Sequence, residues 1–317
     1  PGIMAARTIE DRRDRFATIL VAPLMSCSAR LPVYTIFIGA FVPDRTLLGG
    51  WFGLQGLTLF AMYSVGALVA IPTAFLLKRT ILEGGTAPFI LEFPSYKFPD
   101  IRTVILRVFG SCKSFLERAG TIILAAAVVM WALAYFPRPA ELVSEYETRM
   151  DGVRIGSNPA VIEYNLAILE AEMASELLNR SYLGKTGHFI EPVVRPLGWD
   201  WRIGMAALAS FPAREILVAT LGTIYSLGEV DESSEDLRQA MRNADWEDGR
   251  KVFSLPVALS VMVFFALCAQ CTATLAVIQR ETQSWRWAAF AFSYMTIFAY
   301  FGAFVVFQVT NALGWGG

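Results

Sequence analysis

The chain has 317 residues, of which 55% are hydrophobic and only 17% charged, and its formal net charge is -1. A soluble domain carries about a quarter charged residues, and a near-neutral balance gives no basic surface for nucleic acid, so a soluble or nucleic-acid-binding protein is excluded. Mean hydropathy is +0.47.

Taken in order, the chain opens on Pro1-Gly2 without an initiator Met and soon reaches Arg7, Arg12, Arg13 and Arg15. It is expected to continue an earlier membrane helix and so to be a fragment. Residues 16–42 are long enough to span but hold Pro23, Arg30 and Pro32. Proline removes a backbone donor and interrupts a helix. Residues 52–77, 119–136, 253–279 and 288–314 contain no Asp, Glu, Lys or Arg, and about 20 apolar residues suffice to cross the hydrocarbon core as a helix. Between the segments 52–77 and 119–136, Ile101, Val104, Ile105, Val108, Cys112, Phe115 and Leu116 recur at helical spacing among basic residues. This predicts a separate amphipathic helix over 100–118 on the membrane surface. Residues 137–200 form an acidic insertion with a helix over 159–180. Residues 202–227 are a second interrupted span, with Arg202, Pro212, Arg214 and Glu215.

Lys78, Arg79, Lys97, Arg102 and Arg107 place 78–118 in the cytoplasm. Counting crossings from there puts 137–200 outside, 228–252 inside, 280–287 outside and the C-terminus inside. Arg280 and Arg286 sit badly in that scheme, because they would face outward.

The two interrupted spans align without a gap: Leu24-Met25-Ser26-Cys27-Ser28-Ala29-Arg30 lies over Leu208-Ala209-Ser210-Phe211-Pro212-Ala213-Arg214. Inverted repeats with broken helices build midplane sites in many transporters; small-residue packing segments also resemble each other by chance. Arg30, Arg214 and Glu215 at membrane depth mark a polar pathway, or else a structural ion pair. Cys27 lies between two serines at the first break. Cys268 and Cys271, three apart, are expected to share one helix face. Sulfur suits iron, zinc or Cu(I) rather than magnesium, although a free Cys is also a small buried hydrophobe, the reading taken for Cys112 and Cys268. His188, the only histidine, cannot make a metal site alone. No P-loop and no HExxH motif occurs, so no catalytic residue is expected in this chain.

The string from Arg12 through Tyr34 resembles the first gate motif of ferrous iron transport protein B. Pro1 through Thr8, Leu91 through Tyr96, Ser181 through Gly184, Ile190 through Pro192, Leu208 through Glu215 and Gln270 through Thr282 resemble further segments of that family in order. The resemblance implies an all-α polytopic membrane domain with two inverted gate-type repeats containing broken helices: 1–136, with the surface helix at 100–118, and 201–317, separated by the insertion 137–200. It implies transport of Fe(II) across a prokaryotic plasma (inner) membrane. GTP would act only through an N-terminal GTPase domain that lies outside this sequence. Small cytoplasmic accessory proteins and a homo-oligomer are implied as partners besides the lipid bilayer. The expected path and gate residues are Ser26, Cys27, Ser28, Arg30, Ser210, Arg214, Glu215 and Cys271, with Cys27, Cys271 and Glu215 meeting the metal. A gate-type permease for a nucleoside or another divalent metal is the alternative.

Overall fold

A computed structural model describes residues 2–25, 27–47, 52–82, 98–154, 159–214, 216–225, 227, 235–246, 249, 251–269 and 271–314. The expected site residues Ser26 and Glu215, and the segment from Leu91 through Tyr96, lie outside them. The protein is a helical membrane bundle. A small sheet pairs Thr46–Leu47 with Phe52–Gly53.

After a short α1 (Gly2–Ala5), α2 (Arg12–Val21) starts at Asp11, whose carboxylate accepts from the Arg13 N–H at 2.8 Å. Pro23 ends it in a 3-10 turn. Met25 and Cys27 are extended, and α3 (Leu31–Phe41) begins with Pro32 in its first turn, where a missing N–H costs nothing. The antiparallel α4 (Leu54–Thr80) runs beside both halves. Gln55 donates to the Val42 carbonyl at one end, and Lys78 pairs with Asp14 at 2.8 Å at the other. The first interrupted segment therefore crosses the bundle from end to end.

Helix α5 (Ile101–Tyr135) is a single 35-residue helix capped by Asp100. The surface helix expected over 100–118 is continuous with the span that follows, because no proline stands between them. Its exposed apolar residues, among them Ile101, Ile105, Phe109 and Leu116, are not confined to one stripe. At its far end the chain bends by 76° into α6 (Ala140–Arg154). Helices α7 (Pro159–Arg180) and α8 (Tyr182–Val194) follow. A Cβ at Gly187 of α8 would approach the Met205 Cβ to 2.9 Å, so α8 packs directly on α9 (Trp201–Ala209).

Helix α9 and α10 (Ile216–Ile224) have 9 residues each, roughly 13 Å of helix, against a hydrocarbon core of about 30 Å. They do not form the span expected over 202–227. The Arg202 guanidinium at the start of α9 lies 5.7 Å from the ring centroid of Tyr225 at the end of α10. The pair is thus a re-entrant hairpin that enters and leaves on one face, with its tip at Ser210–Arg214.

This return reverses the sidedness of everything after it. Helix α11 (Glu235–Asn243) lies against the end of α3, where Arg242 donates to the carbonyls of Gly39 and Ala40. Trp246 lies 5.9 Å from the Arg195 guanidinium. Residues 235–246, expected opposite 182–202, share its face. From there α12 (Leu255–Leu267) and α13 (Thr272–Thr282) cross to the other face, where Glu281 pairs with Arg7 at 2.6 Å. Helix α14 (Trp285–Ala312) returns, and Gln308 donates to the Pro196 carbonyl at its far end. Arg280 and Arg286 therefore join Arg7, Arg12, Lys78 and Arg79 on one basic face. The charge bias that the sequence count violated is restored. Among the described residues, four segments are apolar enough by length and composition to cross a membrane: Arg12–Phe41, Leu54–Thr80, Leu255–Thr282 and Trp285–Ala312; the bent pair α5–α6 is a fifth candidate.

Candidate functional site at three broken helices

Three interruptions meet inside the bundle. The first lies between α2 and α3. The second is the tip of the α9–α10 hairpin. The third was not expected: α12 stops at Leu267 and α13 starts at Thr272, with Cys268 (φ -73, ψ 153) and Cys271 (φ -152, ψ 110) extended. Cys268 and Cys271 consequently do not share a helix face. The hairpin tip is tied to this third break, since the Thr272 N–H donates to the Phe211 carbonyl at 3.2 Å and its hydroxyl to the Pro212 carbonyl at 3.4 Å.

A break leaves helix-end carbonyls without intrahelical partners, and at membrane depth water does not supply them. Two arginines do. Arg30 donates to the carbonyls of Pro23 (3.1 Å) and Leu24 (3.3 Å) on its own broken segment. Arg214 reaches from the hairpin tip to the carbonyls of Phe265 (2.9 Å) and Cys268 (2.6 Å). The planar guanidinium fork suits such paired acceptors better than an ammonium. Arg30 is 0% and Arg214 5% exposed. Arg30 lies within electrostatic range of Arg214, Cys27 and Cys268, so the three breaks form one polar locus.

Of the expected path residues, Cys27 and Ser28 are exposed at the first break, and Cys271 is partly buried at the third. Ser210 is buried and donates to the Ala207 carbonyl at 2.7 Å. Cys27 and Cys271 sit on different breaks, and the described residues contain no group of three or more His, Cys, Asp or Glu able to hold a metal ion. Sequence reasoning missed Tyr34 and Cys268 as members of the locus. Cys268 is buried, as an apolar cysteine would be, but its backbone carries the Arg214 contact. The only local signal was the two cysteines inside an otherwise apolar run.

On the acidic face the mouth of the hairpin opens into a cavity of about 420 Å³, lined by His188, Glu191, Arg195, Asp200, Arg202 and Asp245 among others. Asp200 caps α9 by accepting from the Ile203 N–H at 2.9 Å. Burial pushes its carboxyl up to about 6, against the partial opposing effects of that hydrogen bond and of Arg202. His188 stacks on Trp201 at 4.3 Å and approaches the Asn179 side-chain oxygen at 3.1 Å.

The family model described as Ferrous iron transport protein B C terminus matches residues 59–110, and the one described as Gate, nucleoside recognition, matches residues 116–285. The chain belongs to the ferrous iron transport protein B family. It is similar to the Fe(2+) transporter FeoB of Leptospira interrogans (41% identity, 98% of this chain, 41% of the relative) and of Helicobacter pylori strain J99 (32%, 99% and 47%). It is also similar to an Fe(2+) transport protein A/Fe(2+) transporter FeoB fusion protein of Porphyromonas gingivalis (37%, 98% and 36%). The chain spans less than half the length of these relatives. No solved structure matches it.

Proposed function

We propose that this chain is the membrane-permease part of a system that carries Fe(II) into the cell, and that Fe(II) passes where the three breaks meet. The observation that carries the reading is the junction itself: two buried arginines hold the helix-end carbonyls of two breaks, and sulfur from Cys27 and Cys271 stands at two of them. With those carbonyls engaged, the soft donors left for a cation are the thiols. Binding by one or two thiols plus serine and carbonyl oxygen is favourable yet escapable, as a transported ion needs. Ser26, Ser28, Ser210 and Glu215 complete the proposed path. The relatives' printed names support the cargo.

In this reading 1–136 and 201–317 are two inverted gate repeats around the insertion 137–200, and the basic face is cytoplasmic in a prokaryotic inner membrane. GTP acts through an N-terminal GTPase domain. The Porphyromonas gingivalis fusion supports small accessory proteins as partners. The nucleoside reading follows from the gate model's description; sulfur at two breaks favours a metal over it.

The test is Fe(II) influx into anaerobic proteoliposomes holding the full-length protein. The Cys27→Ser/Cys271→Ser variant is expected to lose most of the flux at unchanged incorporation, and excess nucleoside should not compete. Undiminished flux in the double variant would count against the site; competition by nucleoside would count against the cargo.

A further inference from the structure

Helix α5 carries apolar side chains out of the membrane on the basic face. Its charge-free part begins at residue 119, and the same helix extends back to Ile101. Phe109 and Leu116, in that outer half, are 74% and 72% exposed. With Val108 and Cys112 they form one wall of a groove of about 1370 Å³, and Met4 and Ala5 of α1 stand across it. Arg7 lines the same groove. Its two hydrogen bonds to Glu281, of 2.6 and 2.7 Å, fix the α1 wall to the end of α13 at the basic face.

Two demands meet in this groove. Apolar walls outside the hydrocarbon core call for a cover that is itself apolar. The cations call for an anion. Arg7 is matched by Glu281, but Arg107 makes no ion pair among the described residues. Lys113 has Glu117 at 3.8 Å, with both side chains more than half exposed, a contact worth little. Lys113 stands six residues before the charge-free part, about 9 Å along the helix, at the level of a headgroup layer roughly 5–8 Å thick. Arg107 is farther out and Leu116 farther in. The charges are thus outermost and the apolar wall leads inward, the order of parts in a phospholipid. A free anion would leave the walls bare, and a zwitterionic lipid would leave the cations unmatched. A second copy would set its own basic face against this one.

We propose that this groove holds one anionic phospholipid from the leaflet on the basic face. Its phosphate sits between Arg107 and Lys113, and its acyl chains run inward past Cys112 and Leu116, filling the gap between α5 and α1. The site does not depend on the identity of the transported ion.

The experiment is native mass spectrometry of the full-length protein, titrated in detergent with phosphatidylglycerol or with phosphatidylcholine of the same acyl chains, alongside thermal unfolding. One phosphatidylglycerol should be retained with saturable occupancy and raise the unfolding temperature; phosphatidylcholine should do neither. Arg107→Gln/Lys113→Gln should weaken half-saturation by about tenfold or more, at about fivefold for each basic residue near anionic lipid. Cys112→Trp fills the groove, leaves every charge in place and should abolish retention. Arg280→Gln/Arg286→Gln removes the same charge from the same face outside the groove and should leave retention unchanged. An equal response to both lipids would overturn the proposal, as would undiminished retention in Cys112→Trp. So would an equal loss in the 280/286 variant, since the effect would then belong to the basic face as a whole. A dimer without lipid that Cys112→Trp dissociates would make the occupant a second copy and overturn it too.

Discussion

At the scale of single residues, Arg214 is the joint of the molecule. It sits on one element and satisfies carbonyls on another, 51 and 54 residues away. Arg214→Ala would strand both carbonyls. With each hydrogen bond to a charged group worth about 1.5–3 kcal/mol, a loss of at least about 3 kcal/mol is expected, read as a lowered unfolding temperature. Arg214→Lys should recover only part of it, because one ammonium does not reproduce the fork. Asp200 gives a pH prediction. Its folded-state value, about 6, lies above its ordinary value of 3.8. The folded state therefore binds the proton more tightly, and this group's contribution to stability is complete below about pH 4 and lost as pH rises through 6. Asp200→Asn keeps an acceptor for the Ile203 N–H and removes the buried charge. Its unfolding temperature should exceed that of the parent at pH 7 by more than at pH 5; an equal difference at both would sink the assignment.

At the scale of elements, the hairpin α9–α10 is the feature with most consequences. Single cysteines at Gly249 and Phe189, in a background without native cysteines, should be labelled by an impermeant thiol reagent from one side of the membrane. One at Gln283 should be labelled from the other. Labelling of 189 and 249 from opposite sides would restore the crossing that the sequence suggested. The turn before the hairpin is equally constrained. Gly198 has φ +79, and a Cβ there would come within 2.2 Å of the Phe307 ring. Gly198→Ala combines a left-handed backbone with a clash against α14. A destabilisation of more than about 1 kcal/mol is expected, measured by thermal unfolding.

At the scale of the whole molecule, the parts legible in the sequence were those set by local chemistry. Two of the apolar segments became helices near their expected bounds: α4 (Leu54–Thr80) against 52–77, and α14 (Trp285–Ala312) against 288–314. The break between α2 and α3 stood where Pro23 and Pro32 put it. The aligned segment around Pro212 is also interrupted. Less legible was the third break, because Leu267 through Cys271 holds no proline or glycine. Its carbonyls are released from the helix where Arg214 approaches from the hairpin, and no window of sequence contains both partners. The direction of the chain after Leu208 was illegible for a similar reason. Short, mostly apolar stretches on each side of Pro212 read equally as a bent span or as a return.

By itself the sequence determined that this protein lives in a membrane, that it is helical, and that its helices fail at two particular prolines, since hydrophobic length and a missing N–H are properties of a residue and its immediate neighbours. Only the tertiary structure decided that the second interrupted segment turns back, that a third helix breaks to meet it, and which carbonyls quiet the two arginines. Those outcomes depend on groups brought together from distant parts of the chain, where a buried charge must find its partners wherever packing places them.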